Sequence, residues 1–397
     1  MEHIWEMPEI QALHRLPMRS PLLPWNDSLT AAQDAATGPE NRNLEQNNFY
    51  KSLDGEWKFK LLTTPELLET EPELACDGWT QSSYNDDGWD TIKVPGTWTR
   101  QGYDKPHYTN VQMPFENIPP KVPEQNPTGL YRLKFYVPEE WRGRRIVLHI
   151  GSAESVCMVW VNGGAAGCFK DTRLPSEFDV TDYIEFSSCD GTAAENTIAL
   201  MVVRYSDASF VEDQDQWWFG GIHRSVYLYS TEDMWIEDVE AVPDLRDSDG
   251  SAAEVSGDVA GGSVGDPAPG NVATIPLKIR MGIKEDIPGN KKCCVTWKLF
   301  PAENSEDMTA TTLLPPVAEG VEELTCNIRT NLNEIRTKIS VENPRIWSHE
   351  TPNRYVLALE LHEDSCDGRL IEACALCTAF RSVRIEERHL LINGKPV

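Results

Sequence analysis

Apolar and polar residues alternate in short runs along most of this chain, and nowhere among those runs do they recur at the spacing of an amphipathic helix of ten or more residues. "LDGEWKFKLL" (53–62), "GLYRLKFYVP" (129–138), "RIVLHIG" (145–151), "VCMVWVNG" (156–163), "TIALMVVRY" (197–205) and "SVYLYS" (225–230) each predict a strand, bounded by Gly, Pro, Asn or Asp. The Asn-Gly of "VNGG" (161–164) predicts a tight hairpin. Together these runs predict an all-β sandwich or jelly roll over residues 46–230. A second series, "MWIEDVEAV", "ATIPLKIRMG", "CCVTWKLF", "ELTCNIRT" and "YVLALELHE", has the spacing of an immunoglobulin-like sandwich over residues 231–386.

Two stretches fall outside this pattern. Residues 1–45, rich in Pro, Asn and Gln and without a sustained period, predict an extended arm. The Gly, Ser, Asp and Ala residues of 245–271 cannot bury enough surface to order themselves. They are read as a flexible insertion within the second sandwich, because "MWIEDVEAV" needs strand partners that come later.

Charge narrows the candidate partners. The 397 residues carry 63 acidic against 36 basic side chains, a formal charge of -27 that repels phosphate backbones and anionic membranes. Nucleic acid and membrane are therefore excluded as expected partners, and the small basic cluster Arg142, Arg144 and Arg145 does not alter that. The first twenty residues hold no apolar run of signal-peptide length, so the expected location is cytoplasmic. The ten cysteines are then read as free thiols. In the one CxxC, Cys374 and Cys377 lie on a predicted strand, where residues three apart face opposite sides and cannot chelate one ion.

No P-loop, dinucleotide fingerprint, HExxH helix or GxSxG elbow is present. The densest chemistry is "RYSDASFVEDQDQWWFGGIHRSVYLY" (204–229). There Asp207, Glu212, Asp213 and Asp215 adjoin Trp217, Trp218 and Phe219, and two glycines permit a sharp turn. Carboxylates that accept hydroxyl hydrogen bonds, beside rings that cover the apolar face of a pyranose, are what sugar binding requires. The plainer reading is that the tryptophans seal the sandwich and the acids cap turns.

Several stretches resemble glycoside hydrolase family 2, and within it the large bacterial β-galactosidases. They are "LDGEWKFKL" near 53, "VPGTWTRQGYDKPHYTNVQMPF" (94–115), "NPTGLYRLKFYVP" (126–138), "KDTRLPSEFDVT" (170–181), "SDASFVEDQDQWWFGGIHRSVYL" (206–228), "VENPRIWSHETPNRY" (341–355) and "FRSVRIEERHLLINGKPV" (380–397). The resemblance implies a jelly roll, an immunoglobulin-like domain and then a catalytic TIM barrel, with residues 387–397 leading to the first barrel strand and the barrel itself beyond residue 397. It implies a retaining enzyme acting on β-galactosides such as lactose, oligomeric when intact, with sodium and magnesium as its ions. The catalytic glutamates would lie in the barrel, so no residue of this chain is assigned as catalytic. Asn333-Glu334 imitates the family's acid/base dipeptide but falls in the second sandwich. The resemblance assigns substrate contacts to Asn110, Val111 and Asp171, and a sodium contact to Asp171. The alternative is a carbohydrate-binding or assembly module without catalysis.

Overall fold

The computed structural model describes residues 3–38, 42, 44–72, 74–110, 112–187, 193–243, 245, 272–285, 287, 289–304, 311–327 and 333–397. Of the predicted insertion 245–271 only Leu245 is described, and Val111 lies outside the described residues. Contacts divide the chain into two compact units: Met1–Met18 with Tyr50–Ser230, and Arg19–Phe49 with Thr231–Val397.

The first unit is built on a seven-stranded antiparallel sheet. Its order is Ala12–Leu13, Gly164–Phe169, Val156–Val161, Asn196–Val203, Thr128–Phe135, Gly55–Leu62 and Asp90–Val94. A second sheet runs Ser176–Asp179, Arg145–Ile150, Val226–Thr231 and Tyr50–Ser52. Trp57, Phe59, Leu148, Phe169, Phe178 and Leu200 join the two in one core. The other face of the large sheet is covered as well, by a cluster that includes Trp5, Trp79, Trp160 and Met201. All eight residues of Asn196–Val203 are consequently buried, which is why that strand reads as a continuous apolar run rather than an alternation. The predicted hairpin is present: Val161 pairs with Gly164, and Asn162 (φ 50°) and Gly163 (φ 79°) supply the positive φ values that a two-residue turn of this hand needs.

The second unit has a three-stranded sheet, Met234–Ala241, Val272–Ile283 and Glu334–Glu342. It also has a five-stranded sheet in which Lys291–Asn304 pairs with Thr311–Leu313, Ala318–Cys326 and Arg354–Glu363, and the last of these pairs with Leu370–Thr378. Ile275, Ile279, Val295, Leu299, Leu357 and Leu359 lie in a shared core. The molecule is all-β in class. Residues 387–397, expected to lead into a barrel, contribute His389–Ile392 and Lys395–Pro396 to a small meander with Val383–Glu386.

Two expectations are corrected. Residues 1–45 are not one extended arm: Ala12–Leu13 is an edge strand of the first unit, and Ser28–Thr37 is a ten-residue helix in the second. The helix starts at Asp27, whose side chain accepts from the Thr30 amide, and it buries Ala31, Ala32 and Ala36. Ala32 and Ala36 pack against Val356 and Ala358. An alanine face lets a helix sit close to a sheet, yet it carries none of the large apolar stripe that marks an amphipathic helix in sequence. The free-thiol reading also fails in part, because Cys294 and Cys366 form a disulfide. The CxxC cysteines do face apart: Cys374 lies in the core, while Cys377 is exposed and donates to the Ala35 carbonyl.

Candidate functional site

The loop that follows Gly164–Phe169 is held from several directions. Lys170 is fully buried, and its ammonium donates to Asp207 Oδ1 at 2.6 Å and to the Met7 carbonyl at 2.8 Å. The Thr172 amide donates to Glu212 Oε1 at 3.1 Å. Arg173 donates from Nη2 to Gln216 Oε1 at 2.8 Å, and its own carbonyl accepts from Arg224 at 2.8 Å. Beyond Pro175 the chain enters Ser176–Asp179, where Ser176 pairs with Ile150 and fixes the direction of departure.

Asp171 itself is treated differently from its neighbours. Its carboxylate is about one-third exposed and has one described charged neighbour, Arg15, at 4.0 Å. It opens into a cleft of about 650 Å³ whose lining also includes Gln11, Arg15, Pro120, Phe210 and Glu212. A loop held through the Lys170 ammonium, the Thr172 amide and the Arg173 guanidinium, and whose central acid faces a cleft, is built to present that acid. Among the described residues no three His, Cys, Asp or Glu side chains group as a metal site. Asp171 offers one hard oxygen ligand, with the Arg15 cation competing for it, so these residues do not by themselves make up a sodium or magnesium site.

Asn110 belongs to a second piece of the same neighbourhood. His107–Thr109 and Gln216–Trp218 form a two-stranded ribbon in which Thr109 pairs with Gln216 and Tyr108 with Trp217. Asn110 follows directly and is exposed, and it is not part of the cleft lining. The ribbon joins it to the Asp171 loop, since Gln216 pairs with Thr109 and also receives Arg173.

The comparisons with known proteins bear on this arrangement. The sequence profile described as "Glycosyl hydrolases family 2, sugar binding domain" matches residues 50–232, a span that contains the Asp171 loop and the ribbon. Residues 50–232 of this chain are similar to that domain. A β-galactosidase of Photobacterium profundum is 33% identical over 396 residues, which is 99% of this chain and 32% of the relative's length. One from Vibrio vulnificus is 33% identical over 397 residues, again 99% of this chain and 32% of the relative. The chain thus spans about one-third of the curated relatives it matches. Among solved structures, a β-glucuronidase of Bifidobacterium dentium superposes with a TM-score of 0.60 at 19% identity, over 89% of this chain and 51% of that one. A β-glucuronidase of Bacteroides uniformis gives 0.59 at 20% identity, over 88% and 34%. At such identity these two speak to the fold.

Within residues 50–232, the acids singled out in the sequence are mostly supports. Asp207 neutralises Lys170, Glu212 holds the Thr172 amide, and Asp215 accepts from the Tyr108 hydroxyl at 2.6 Å. Ser206 caps the short helix Asp207–Phe210 and so aims Asp207. Asn333-Glu334 is structural: the Asn333 side chain accepts from the Asn327 amide, and Arg336, with Lys278 at 3.3 Å, holds the Glu334 carboxyl below its usual range.

Sequence reasoning missed the pair Glu154 and His223. Ala153–Glu154 pairs with Gly221–Ile222, which places both side chains beside the Asp171 loop. Glu154 Oε2 lies 3.4 Å from His223 Nε2 and 3.9 Å from Arg173 Nη1, and Oε1 accepts from the Phe219 amide. Burial raises the Glu154 pKa, against the pull of Arg173. Burial, with Arg173 and Arg224 adding repulsion, lowers His223 to about 4. The one sequence signal was the Gly-Gly at 220–221. Gly220 sits at φ 92°, and a Cβ there would meet the Trp98 ring at 2.4 Å, so only glycine lets the chain turn back toward Glu154.

Proposed function

We propose that this chain is the N-terminal, non-catalytic part of a retaining β-galactosidase that hydrolyses terminal non-reducing β-D-galactosides such as lactose, and that on its own it hydrolyses nothing. The carrying observation is the Asp171 loop, anchored through Lys170, Thr172 and Arg173 while its acid faces a cleft. The curated relatives, named β-galactosidases and about three times as long, support the substrate class.

In such an enzyme one glutamate forms the glycosyl-enzyme and a second protonates the leaving oxygen and later activates water; both lie outside this chain. Asp171 contributes binding: its carboxylate accepts hydrogen bonds from galactose hydroxyls and gives one oxygen to a sodium ion completed by other donors. Asn110 and Val111 would add further contacts to the galactoside. The magnesium ligands and the oligomer contacts belong to the rest of the protein.

The test has two arms. Purified 1–397 is assayed on a chromogenic β-galactoside, with no turnover expected; turnover abolished by a substitution in this chain overturns the reading. In the full-length protein, Asp171→Asn keeps size and shape, so stability should change by less than about 0.5 kcal/mol. Hydrogen bonds to a charged acceptor contribute about 1.5–3 kcal/mol each, so kcat/KM should fall roughly ten- to a hundredfold per bond. Wild-type kinetics on lactose across sodium concentrations return Asp171 to the role of a solvated loop acid.

A further inference from the structure

Cys293 and Cys294 are consecutive on the strand Lys291–Asn304 and so point to opposite faces of its sheet. Cys294 is bonded to Cys366. Cys293 turns instead into the core of the second unit, where its sulfur lies 3.8 Å from that of Cys326. Cys293 is 1% exposed and Cys326 0%. The strand ladder explains the meeting: Cys326 pairs with Lys291 and Leu324 with Cys293, so the two cysteines are diagonal neighbours on one face. They are not equivalent. The Cys326 S–H donates to Cys293, which holds the Cys293 thiol below its usual range and pushes Cys326 above it. Cys293 is therefore the member of the pair that forms a thiolate more readily.

We propose that Cys293 and Cys326 are a second disulfide site, which closes when the chain meets a small disulfide oxidant such as oxidised glutathione. Three observations carry it. The sulfurs already touch, about 1.8 Å beyond bonding distance. The approach that remains falls on a strand end, because Cys326 is the last residue of Ala318–Cys326, and among the described strands that one pairs with Lys291–Asn304 alone. The adjacent Cys294 is already oxidised, so this segment of chain meets disulfide-forming conditions. In the first step the Cys293 thiolate attacks one sulfur of the oxidant and releases a glutathione thiolate, which takes up the proton that Cys293 lost. Cys326, deprotonated in turn, then attacks the Cys293 sulfur of the mixed disulfide and releases the second glutathione as a thiol. Two protein thiols are oxidised and one small disulfide is reduced. Both sulfurs are buried, so the oxidant reaches them when the edge strand opens, and the new bond then pins that strand to its one neighbour. Such a bond is independent of whether the chain takes part in galactoside hydrolysis.

The test is peptide mass spectrometry. The purified chain is incubated with excess oxidised glutathione, in buffer and in urea below the unfolding midpoint, then quenched, alkylated in denaturant and digested with trypsin. Cleavage at Lys292 and Lys298 leaves Cys293 and Cys294 on one peptide, separate from those of Cys326 and Cys366. The expected product joins that peptide to both of the others, with alkylated Cys326 reduced about tenfold against the untreated chain. Cys293→Ser, and Cys326→Ala as a second variant, should each leave the remaining thiol alkylated with the Cys294–Cys366 bond in place. After oxidation the amides of Ala318–Cys326 should exchange with solvent about tenfold more slowly, since the strand can no longer open freely. Equal alkylation of Cys326 with and without oxidant, in buffer and in urea alike, overturns the second site. So does a product in which Cys326 is joined to Cys294, or one that stops at the mixed disulfide with glutathione. Unchanged amide exchange in a chain that carries the new bond overturns the pinning of the edge strand.

Discussion

His223 and Glu154 face each other at 3.4 Å in a buried setting, and the two respond to pH in opposite senses. His223 is lowered to about 4 from its ordinary 6.5, so between those values the unfolded chain binds a proton that the folded chain refuses. Stability is therefore lost as pH falls from 6.5 towards 4. Glu154, whose pKa is raised, acts the other way and loses stability as pH rises through its titration. Its carboxyl tends toward the neutral form in acid and so does not rescue the imidazolium. In the His223→Gln variant the loss between pH 7 and pH 4.5 should shrink by about 2 kcal/mol, read from denaturant midpoints at the two pH values. Equal pH profiles for wild type and variant would place His223 in contact with solvent.

At the scale of elements, the disulfide ties the strand Lys291–Asn304 to the turn that follows Arg354–Glu363. It spans a sequence separation of 72 residues, and closing a loop of that length removes about 4 kcal/mol of entropy from the unfolded chain. Cys294→Ala should cost about 2–4 kcal/mol, and adding reductant to wild type should reproduce the effect. Identical midpoints with and without reductant would show that the bond is not formed. The helix Ser28–Thr37 makes a related point through packing. Ala36 is fully buried against the sheet, so Ala36→Leu has no room and should destabilise by about 1–3 kcal/mol, checked by the same midpoints.

Among the described residues each compact unit has a main core of its own, accompanied by smaller buried clusters. Perturbations confined to one core should therefore leave the other core's stability unchanged. Lys170→Met strands Asp207 as an unpaired buried carboxylate, a change that costs about 3–5 kcal/mol, and it should lower the melting transition of the first unit. Cys294→Ala should lower that of the second. The double variant should show both shifts additively in calorimetry. A single cooperative transition that moves as one under either change would contradict separate cores.

Much of this fold is legible in the sequence. Alternation gave the all-β class, the Asn-Gly at 162–163 gave its hairpin, and the stretch around Asp171 carried its family resemblance in local sequence. These are local properties, set by side-chain period and backbone preference over a few residues. What the sequence could not decide depends on distant partners. Trp217 and Trp218 are distinguished only by pairing with residues more than a hundred positions earlier. The anchoring of Lys170 by Asp207 and the meeting of Glu154 with His223 likewise need strands brought together from separate parts of the chain. The alanine helix was hidden because its stability comes from the sheet it rests on, and Cys294 found Cys366 because two non-adjacent segments meet at that strand. Sequence set the period of each element; which face is buried, and which acid is left looking into the cleft, was decided by the neighbours that tertiary packing supplied.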